Sequence, residues 1–475
     1  MRSFNSKPLA VLFLFAALIS VLSCSRKEDA PRSPSTPLTD YVRSRDADFK
    51  YEILGTLKKD HFTYYVARMT SQQWLTTDEV NTPEWWHWVS VIVPDDCTYK
   101  TGMMWIGGGT KDDAMPSEPN KLMMSISDST HSIVAYVHNI PFQPLVFAND
   151  TVHRYEDAII AYGWRKFLEG GAKDQDAIWL SRLPMTRAVV SAMDVVQDIL
   201  EQKQQMSVDH FVVAGASKRG WTTWITAATD DRVVAIVPVV IDLLNIRPSF
   251  QHHWRNYGSW APAVGDYERE GIMDWMGSKE YDRLLEIEEP YSYKSTYVMP
   301  KLLINAADDE FFLPDSWKFY YHDLPGEKHL MYVPNSGHDV SGSDALRNLT
   351  AFYSRVLDNQ PRPDYTWTIN GDVFEIKTNP ASGPVAIKLW SAHNNDRRDF
   401  RMDVLGPKWT ATDLALNANG VYTIPIATPE KGWTGYFVEL TYPGRMALKV
   451  TTGVEVLPKK YPFDSFSPSV PKGSR

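Results

Sequence analysis

Two apolar runs broken by polar turns open the patterned part of the chain. Residues 86–93 (Trp-His-Trp-Val-Ser-Val-Ile-Val) predict a strand closed by Pro94-Asp95-Asp96, and residues 101–106 predict a second that ends in Gly107-Gly108-Gly109. A third is expected at 132–138. From 187 to 200 the period changes, and Val189, Val190, Met193, Val196 and Ile199 fall on one helical face. A short buried strand at 211–214 follows, then a helix from Lys218, a continuous apolar strand at 233–241 and another at 301–306. Strands apolar on both faces are typical of parallel sheets covered on both sides. Their alternation with helices predicts an α/β domain over 40–360, with a mostly parallel sheet and helices on both faces.

Residues 247–299 break that rhythm with Trp254, Tyr257, Trp260, Tyr267 and Trp275 among Pro and Gly. They read as a cap-like insertion over the carboxyl edge of the sheet or as a structural helical excursion. Beyond Pro361-Arg362-Pro363, alternating stretches at 366–377, 385–391, 420–426, 435–442 and 447–456 predict a small β-sandwich over 361–465. No acid/base constellation stands out there, so it is expected to be a packing or binding accessory.

The first 24 residues are read as export signal, not fold. Arg2 and Lys7 precede an apolar run at 9–22 of signal-peptide length, which ends in Val21-Leu22-Ser23-Cys24. This resembles a lipobox, with Cys24 as the lipidated residue. Residues 25–39, with Pro31, Pro34 and Pro37, then read as a flexible tether. The expected location is the bacterial cell envelope, lipid-anchored to the outer membrane, with no membrane contact beyond that lipid. Cys97, the only other cysteine, follows Asp95-Asp96, which would raise a thiol pKa, so it is not expected to be a nucleophile. The net charge of −9 without a basic block argues against a nucleic-acid partner.

The strongest chemical signal is Val212-Val213-Ala214-Gly215-Ala216-Ser217-Lys218-Arg219-Gly220-Trp221. A nucleophile on a tight strand-to-helix turn needs small neighbours, because its backbone is strained and side chains two positions away would clash. Gly215 and Ala216 meet that demand; Arg219 does not, and Gly220 comes one position later than in G-x-S-x-G. Downstream, the strand at 301–306 leads to Asp308-Asp309-Glu310, and Leu330 to Val333 lead to Gly337-His338. Serine, acid and histidine thus follow one another in the order of α/β-hydrolases, each after a strand. Asp309 is preferred as the acid, with Asp308 its close competitor, and His338 is better placed than His322 or His329. The backbone N–H groups of Gly108, Gly109 and Lys218 are candidate oxyanion donors. The glycine run lacks G-x-x-x-x-G-K-[ST] and G-x-G-x-x-G surroundings, so phosphate binding is not expected. No His/Cys spacing suggests a metal, and no cofactor is expected.

These residues, with residues 156–167 (Glu-Asp-Ala-Ile-Ile-Ala-Tyr-Gly-Trp-Arg-Lys-Phe), Leu183-Pro184-Met185-Thr186 and Asp309-Glu310-Phe311-Phe312-Leu313-Pro314-Asp315, resemble the PhoPQ-activated pathogenicity-related family over about residues 40–460. The resemblance implies an exported protein of α/β-hydrolase fold with Ser217, Asp309 and His338 as its triad. It also implies kinship with bacterial members linked to resistance against cationic antimicrobial peptides and with a secreted repressor of proliferation in amoebae. The expected activity is hydrolysis of a peptide or ester by Ser217. The rival expectation is a binding or signalling protein that has kept the hydrolase body.

Overall fold

The computed structural model describes residues 34–475. The expected signal peptide with Cys24, and residues 25–33 of the expected tether, lie outside the described residues. The tether was expected to reach residue 39, and here the structure differs. Helix α1 (Pro37–Arg43) begins inside it, with Thr36 capping the N–H of Thr39 and Leu38 and Thr39 buried. Pro37 sits at the first helical position, where a missing N–H costs nothing and a fixed φ helps. Its presence in a Pro/Ser-rich stretch concealed a helix start.

Strands β1 (Lys50–Lys58), β2 (Phe62–Gln73) and β3 (Glu84–Pro94) form an antiparallel meander. There follow β4 (Thr101–Ile106), α2 (Lys121–Thr130), β5 (Val134–Val137), α3 (Asp157–Glu169) and α4 (Arg182–Gln204). Next come β6 (His210–Ala216), α5 (Lys218–Thr229) and β7 (Val233–Val239). Helices α6 (Ile246–Tyr257), α7 (Gly265–Arg269) and α8 (Lys279–Glu288) make up the excursion, and β8 (Lys301–Ala306), β9 (Lys328–Val333) and α9 (Ala345–Leu357) complete this part. The strands lie in the order β1-β2-β3-β5-β4-β6-β7-β8-β9, and β5 through β9 pair in parallel. This mixed, mostly parallel sheet with helices is the α/β-hydrolase fold. The loops after β4, β6, β8 and β9 therefore emerge at one edge, where open α/β sheets hold their ligands.

The C-terminal strands are β10 (Tyr365–Asn370), β11 (Val373–Thr378), β12 (Ala386–Asn394), β13 (Thr410–Leu414), β14 (Val421–Pro425), β15 (Trp433–Tyr442), β16 (Leu448–Thr451) and β17 (Glu455–Leu457). The stretch 366–377, which reads as one strand, is a hairpin. It turns at Gly371-Asp372, and Gly371 takes a φ of +65° there, a conformation that glycine adopts without steric cost. Strands β10, β11 and β14 form one sheet, while β16-β15-β12-β13 extend the central one, because β16 pairs with β9 through Thr451 and Leu330. The described residues 34–475 accordingly form one compact unit.

This C-terminal segment grips the loop after β8. The Trp409 indole N–H donates to Asp308 Oδ1 at 3.0 Å, and the N–H of Met402 donates to the Asp308 carbonyl at 2.8 Å. Arg398 pairs with the buried Asp315 at 2.7 Å.

Burial pushes the Asp308 carboxyl up to about 7, over the opposing pull of the Trp409 indole. Its folded pKa thus lies above the ordinary carboxyl value near 4. The folded state binds the extra proton, so this contribution to stability is full below pH 4 and is lost as pH rises through 7. Asp308→Asn mimics the protonated acid. Its stability relative to the native chain is expected to rise between pH 4 and 7, by up to about 1.4 kcal/mol per pH unit. Urea unfolding across that range measures it, and a pH-independent difference would sink the assignment.

Candidate active site

Strand β6 is buried almost throughout and ends at Ala216; α5 starts at Lys218, so a single residue, Ser217, makes the turn. Its φ of +59° and ψ of −125° lie outside the basins a non-glycine residue ordinarily occupies. Close approach explains the glycines on either side. A Cβ on Gly215 would stand 2.8 Å from the Arg219 carbonyl oxygen, and one on Gly220 would stand 3.0 Å from the carbonyl oxygens of both Gly215 and Val239. Gly220 thus performs the packing role expected one position earlier, and Arg219 is accommodated because its side chain leaves the turn.

That side chain and its neighbour enter an ion-pair cluster. Lys218 Nζ, buried, pairs with Glu156 Oε2 at 2.8 Å and Asp157 Oδ2 at 2.9 Å. Arg219 pairs with Glu156 Oε1 at 2.5 Å and donates from Nε to the Ile140 carbonyl at 2.5 Å. Burial alone would raise the Glu156 carboxyl, yet Arg219 and Lys218 outweigh it and hold the group down at about 2. Gln143 joins this cluster to the glycine loop, donating to Glu156 and to the Gly109 carbonyl at 2.8 Å each.

After β8, Asp309 reaches the histidine. His338 Nδ1 lies 3.0 and 2.9 Å from its two carboxylate oxygens, and Asp309 Oδ1 also accepts the N–H groups of Phe311 and Phe312. The carboxylate is buried and fixed by three partners. Glu310, which no sequence signal singled out, accepts the backbone N–H of His338 at 2.7 Å. Gly337 leaves room for that contact, since a Cβ there would meet Glu310 Oε1 at 2.4 Å. The Phe311 ring lies 4.3 Å from the imidazole. Asp308 is drawn instead to Trp409, His329 to Glu327, and His322 to Trp317 and Trp367. Burial pushes the Cys97 thiol up, with Asp96 adding to the effect.

Ser217 and His338 line one cavity of about 310 Å³, together with Gly107, Gly108, Tyr136 and Phe311. His338 Nε2 is buried and takes part in no hydrogen bond, so it is not joined to Ser217 in this structure. Such catalytic bonds commonly tighten only when substrate binds. Gly108 and Lys218, two of the candidate oxyanion donors, border the cavity. Gly109 does not line it: at φ +129° it turns away, held by Gln143, with Asn139 and Asp113 crowding its Cα. Gly107 is the second glycine at the wall, pressed so close to the Tyr136 ring that a Cβ would stand 2.1 Å from it. Glu156 and Asp157 were also missed as site residues. Their signal was a tandem acid pair opening a helix, matched to the tandem bases Lys218-Arg219.

The family described as PhoPQ-activated pathogenicity-related protein matches residues 38–401. Autocrine proliferation repressor protein A of Dictyostelium discoideum is 37% identical over 464 residues, which cover 91% of this chain and 92% of that protein. Among solved structures, acetyl xylan esterase 1 from Thermoanaerobacterium sp. is 14% identical, over 70% of this chain and 96% of its own, with a TM-score of 0.46. An acetyl xylan esterase from Paenibacillus sp. R4 is 12% identical, over 68% and 97%, with a TM-score of 0.47. Pyrococcus horikoshii acylaminoacyl peptidase is 14% identical, over 66% and 51%, with a TM-score of 0.40.

The backbone at Ser217 yields a test independent of any activity. Ser217→Gly removes the Cβ that makes this φ/ψ costly and is expected to stabilise the fold by roughly 1 kcal/mol, net of the entropy glycine loses. Ser217→Ala keeps the Cβ and should not. Thermal unfolding of the two variants side by side decides it; equal midpoints would mean that the turn is unstrained.

Proposed function

The chain belongs to the PhoPQ-activated pathogenicity-related protein family, and we propose that it is a serine hydrolase that cleaves an acyl bond of an ester or a peptide. One observation carries the reading: a histidine fixed on Nδ1 by a buried carboxylate, with its Nε2 unengaged, shares a cavity with a serine on a strained strand-to-helix turn. In this reading Ser217 Oγ attacks the carbonyl carbon while His338 Nε2 takes its proton. Asp309 holds the imidazole in the tautomer with hydrogen on Nδ1 and stabilises the cation that forms. The oxyanion is held by the backbone N–H of Lys218, the first N–H of α5, and by that of Gly108. His338 then gives its proton to the leaving atom, and a water molecule, activated by the same histidine, releases the acyl group.

A second reading, a hydrolase body kept for binding or signalling, draws on the Dictyostelium relative, whose name describes repression of proliferation. The part of the resemblance that concerns antimicrobial peptides belongs to the substrate question within the first reading. The envelope location through Cys24 is a proposal of its own: Cys24→Ser is expected to move the chain from the membrane to the soluble fraction, and unchanged fractionation would overturn it.

A fluorophosphonate probe on the full chain separates the two readings. Labelling is expected at Ser217 and is lost in Ser217→Ala. Asp309→Asn should slow it by about 10³–10⁴-fold, as when a triad acid is neutralised, whereas Asp308→Asn should change it only a few-fold. Folded protein that does not label would favour the binding reading.

A further inference from the structure

Two recesses of unequal size adjoin the cavity that holds Ser217 and His338. The smaller, about 30 Å³, is walled by Ser217, Lys218, Phe250, Tyr267 and Phe312. The larger, about 160 Å³, is walled by Trp105, Leu122, Val240, Leu346, Leu349 and His338. Trp105, Val240 and His338 border both this larger recess and the central cavity, so the two adjoin at the imidazole. Leu122 stands 41% exposed at the start of α2, an apolar side chain at the recess rim with solvent on its other side.

The reaction sets which part of a substrate lies on which side. In acyl transfer the general acid must reach the leaving atom within hydrogen-bond distance, so the leaving group lies towards His338 and the acyl group stays on Ser217. The larger recess touches His338 and not Ser217; the smaller touches Ser217 and not His338. A dry apolar cavity of about 150 Å³ admits a benzene-sized molecule, while one water needs roughly 10–15 Å³. We propose that the site takes esters with a short acyl group, of acetyl size, and a benzene-sized apolar alcohol as leaving group, which the Leu122–Leu346–Leu349 recess binds. This rests on the serine hydrolase reading above and adds the substrate class to it. In the step concerned, the C–O bond of the tetrahedral adduct breaks, and the leaving oxygen takes the proton from His338 Nε2 and departs as the free alcohol. The acetyl group remains on Ser217 Oγ until water, losing a proton to His338, attacks it. The Oγ–C bond then breaks, His338 returns the proton to Ser217 Oγ, and acetic acid leaves and ionises to acetate.

The test compares kcat/KM of the full chain for three esters, with fluorophosphonate labelling of Ser217 recorded on the same preparation. Benzyl acetate and ethyl acetate release alcohols of nearly equal acidity, so their ratio reads the recess and not leaving-group chemistry. Benzyl acetate is expected to exceed ethyl acetate by at least tenfold, as apolar contact in such pockets commonly yields. Ethyl phenylacetate, which carries its ring on the acyl side, should fall below both. Leu346→Trp, which fills the recess, and Leu122→Asp, which makes its rim polar, should each cut the benzyl preference about fivefold or more. If the tryptophan variant does not fold, the surface variant Leu122→Asp carries the comparison. A benzyl-to-ethyl ratio near one, or a preference for ethyl phenylacetate, with Ser217 still labelled, overturns this proposal alone. Absence of both labelling and hydrolysis overturns the serine hydrolase reading, and this proposal falls with it.

Discussion

Everything at the catalytic edge depends on holding one residue, Ser217, in a backbone conformation that an unconstrained chain would leave. Such strain costs on the order of 1–3 kcal/mol and persists only where the surroundings over-determine it. Here the surroundings are charged. Lys218 and Arg219, the two residues after the turn, are tied to Glu156 and Asp157 at the start of α3. Glu156 occupies a similar basin, with φ +52° and ψ −123°. Two strained residues far apart in sequence are thus pinned against each other by ion pairs that burial makes costly to open. Through Gln143 the same cluster reaches the Gly109 carbonyl, so the turn that presents the serine and the loop that faces it are held by one network.

A second grip acts on the acid. Asp309 lies between two residues of its own loop that the C-terminal segment holds: Asp308 by Trp409, and Asp315 by Arg398. His252 of α6 completes the arrangement, 2.7 Å from Asp315. The excursion after β7, the acid loop and the C-terminal strands therefore meet around one buried carboxylate. The accessory strands contribute no residue to the cavity wall, yet they fix where that wall stands.

Much of this was legible from local pattern, because each chemical residue follows a strand whose apolar run is hard to mistake. The strands 101–106 and 301–306 end where their residues say they should, and Ser217, Asp309 and His338 follow from chain order. What escaped notice depends on contacts between distant segments. Spacing after the strand only favours Asp309 over Asp308; the indole of Trp409, a hundred residues on, is what occupies Asp308. Gly109 looks as fit for an oxyanion loop as Gly107, until Tyr136 and Gln143 settle which glycine faces the serine. Strands β1 and β2 went unread although β2 is buried nearly throughout, since polar residues such as Thr70, Ser71 and Gln72 interrupt its apolar run. The hairpin at Gly371 was merged into one strand because its turn has only two residues.

The grip of Trp409 on Asp308 carries a consequence for the gene. The codons for Ser217, Asp309 and His338 all precede position 339, so a frame closed by a stop soon after α9 would still encode all three residues. Its product would lack the indole that occupies Asp308, the guanidinium that occupies Asp315 and the strand that covers β9. A buried carboxylate without its partner is expensive, and an uncovered β9 is a bare edge open to other chains. Truncating alleles of this gene should therefore behave as losses of the protein, even though they keep Ser217, Asp309 and His338.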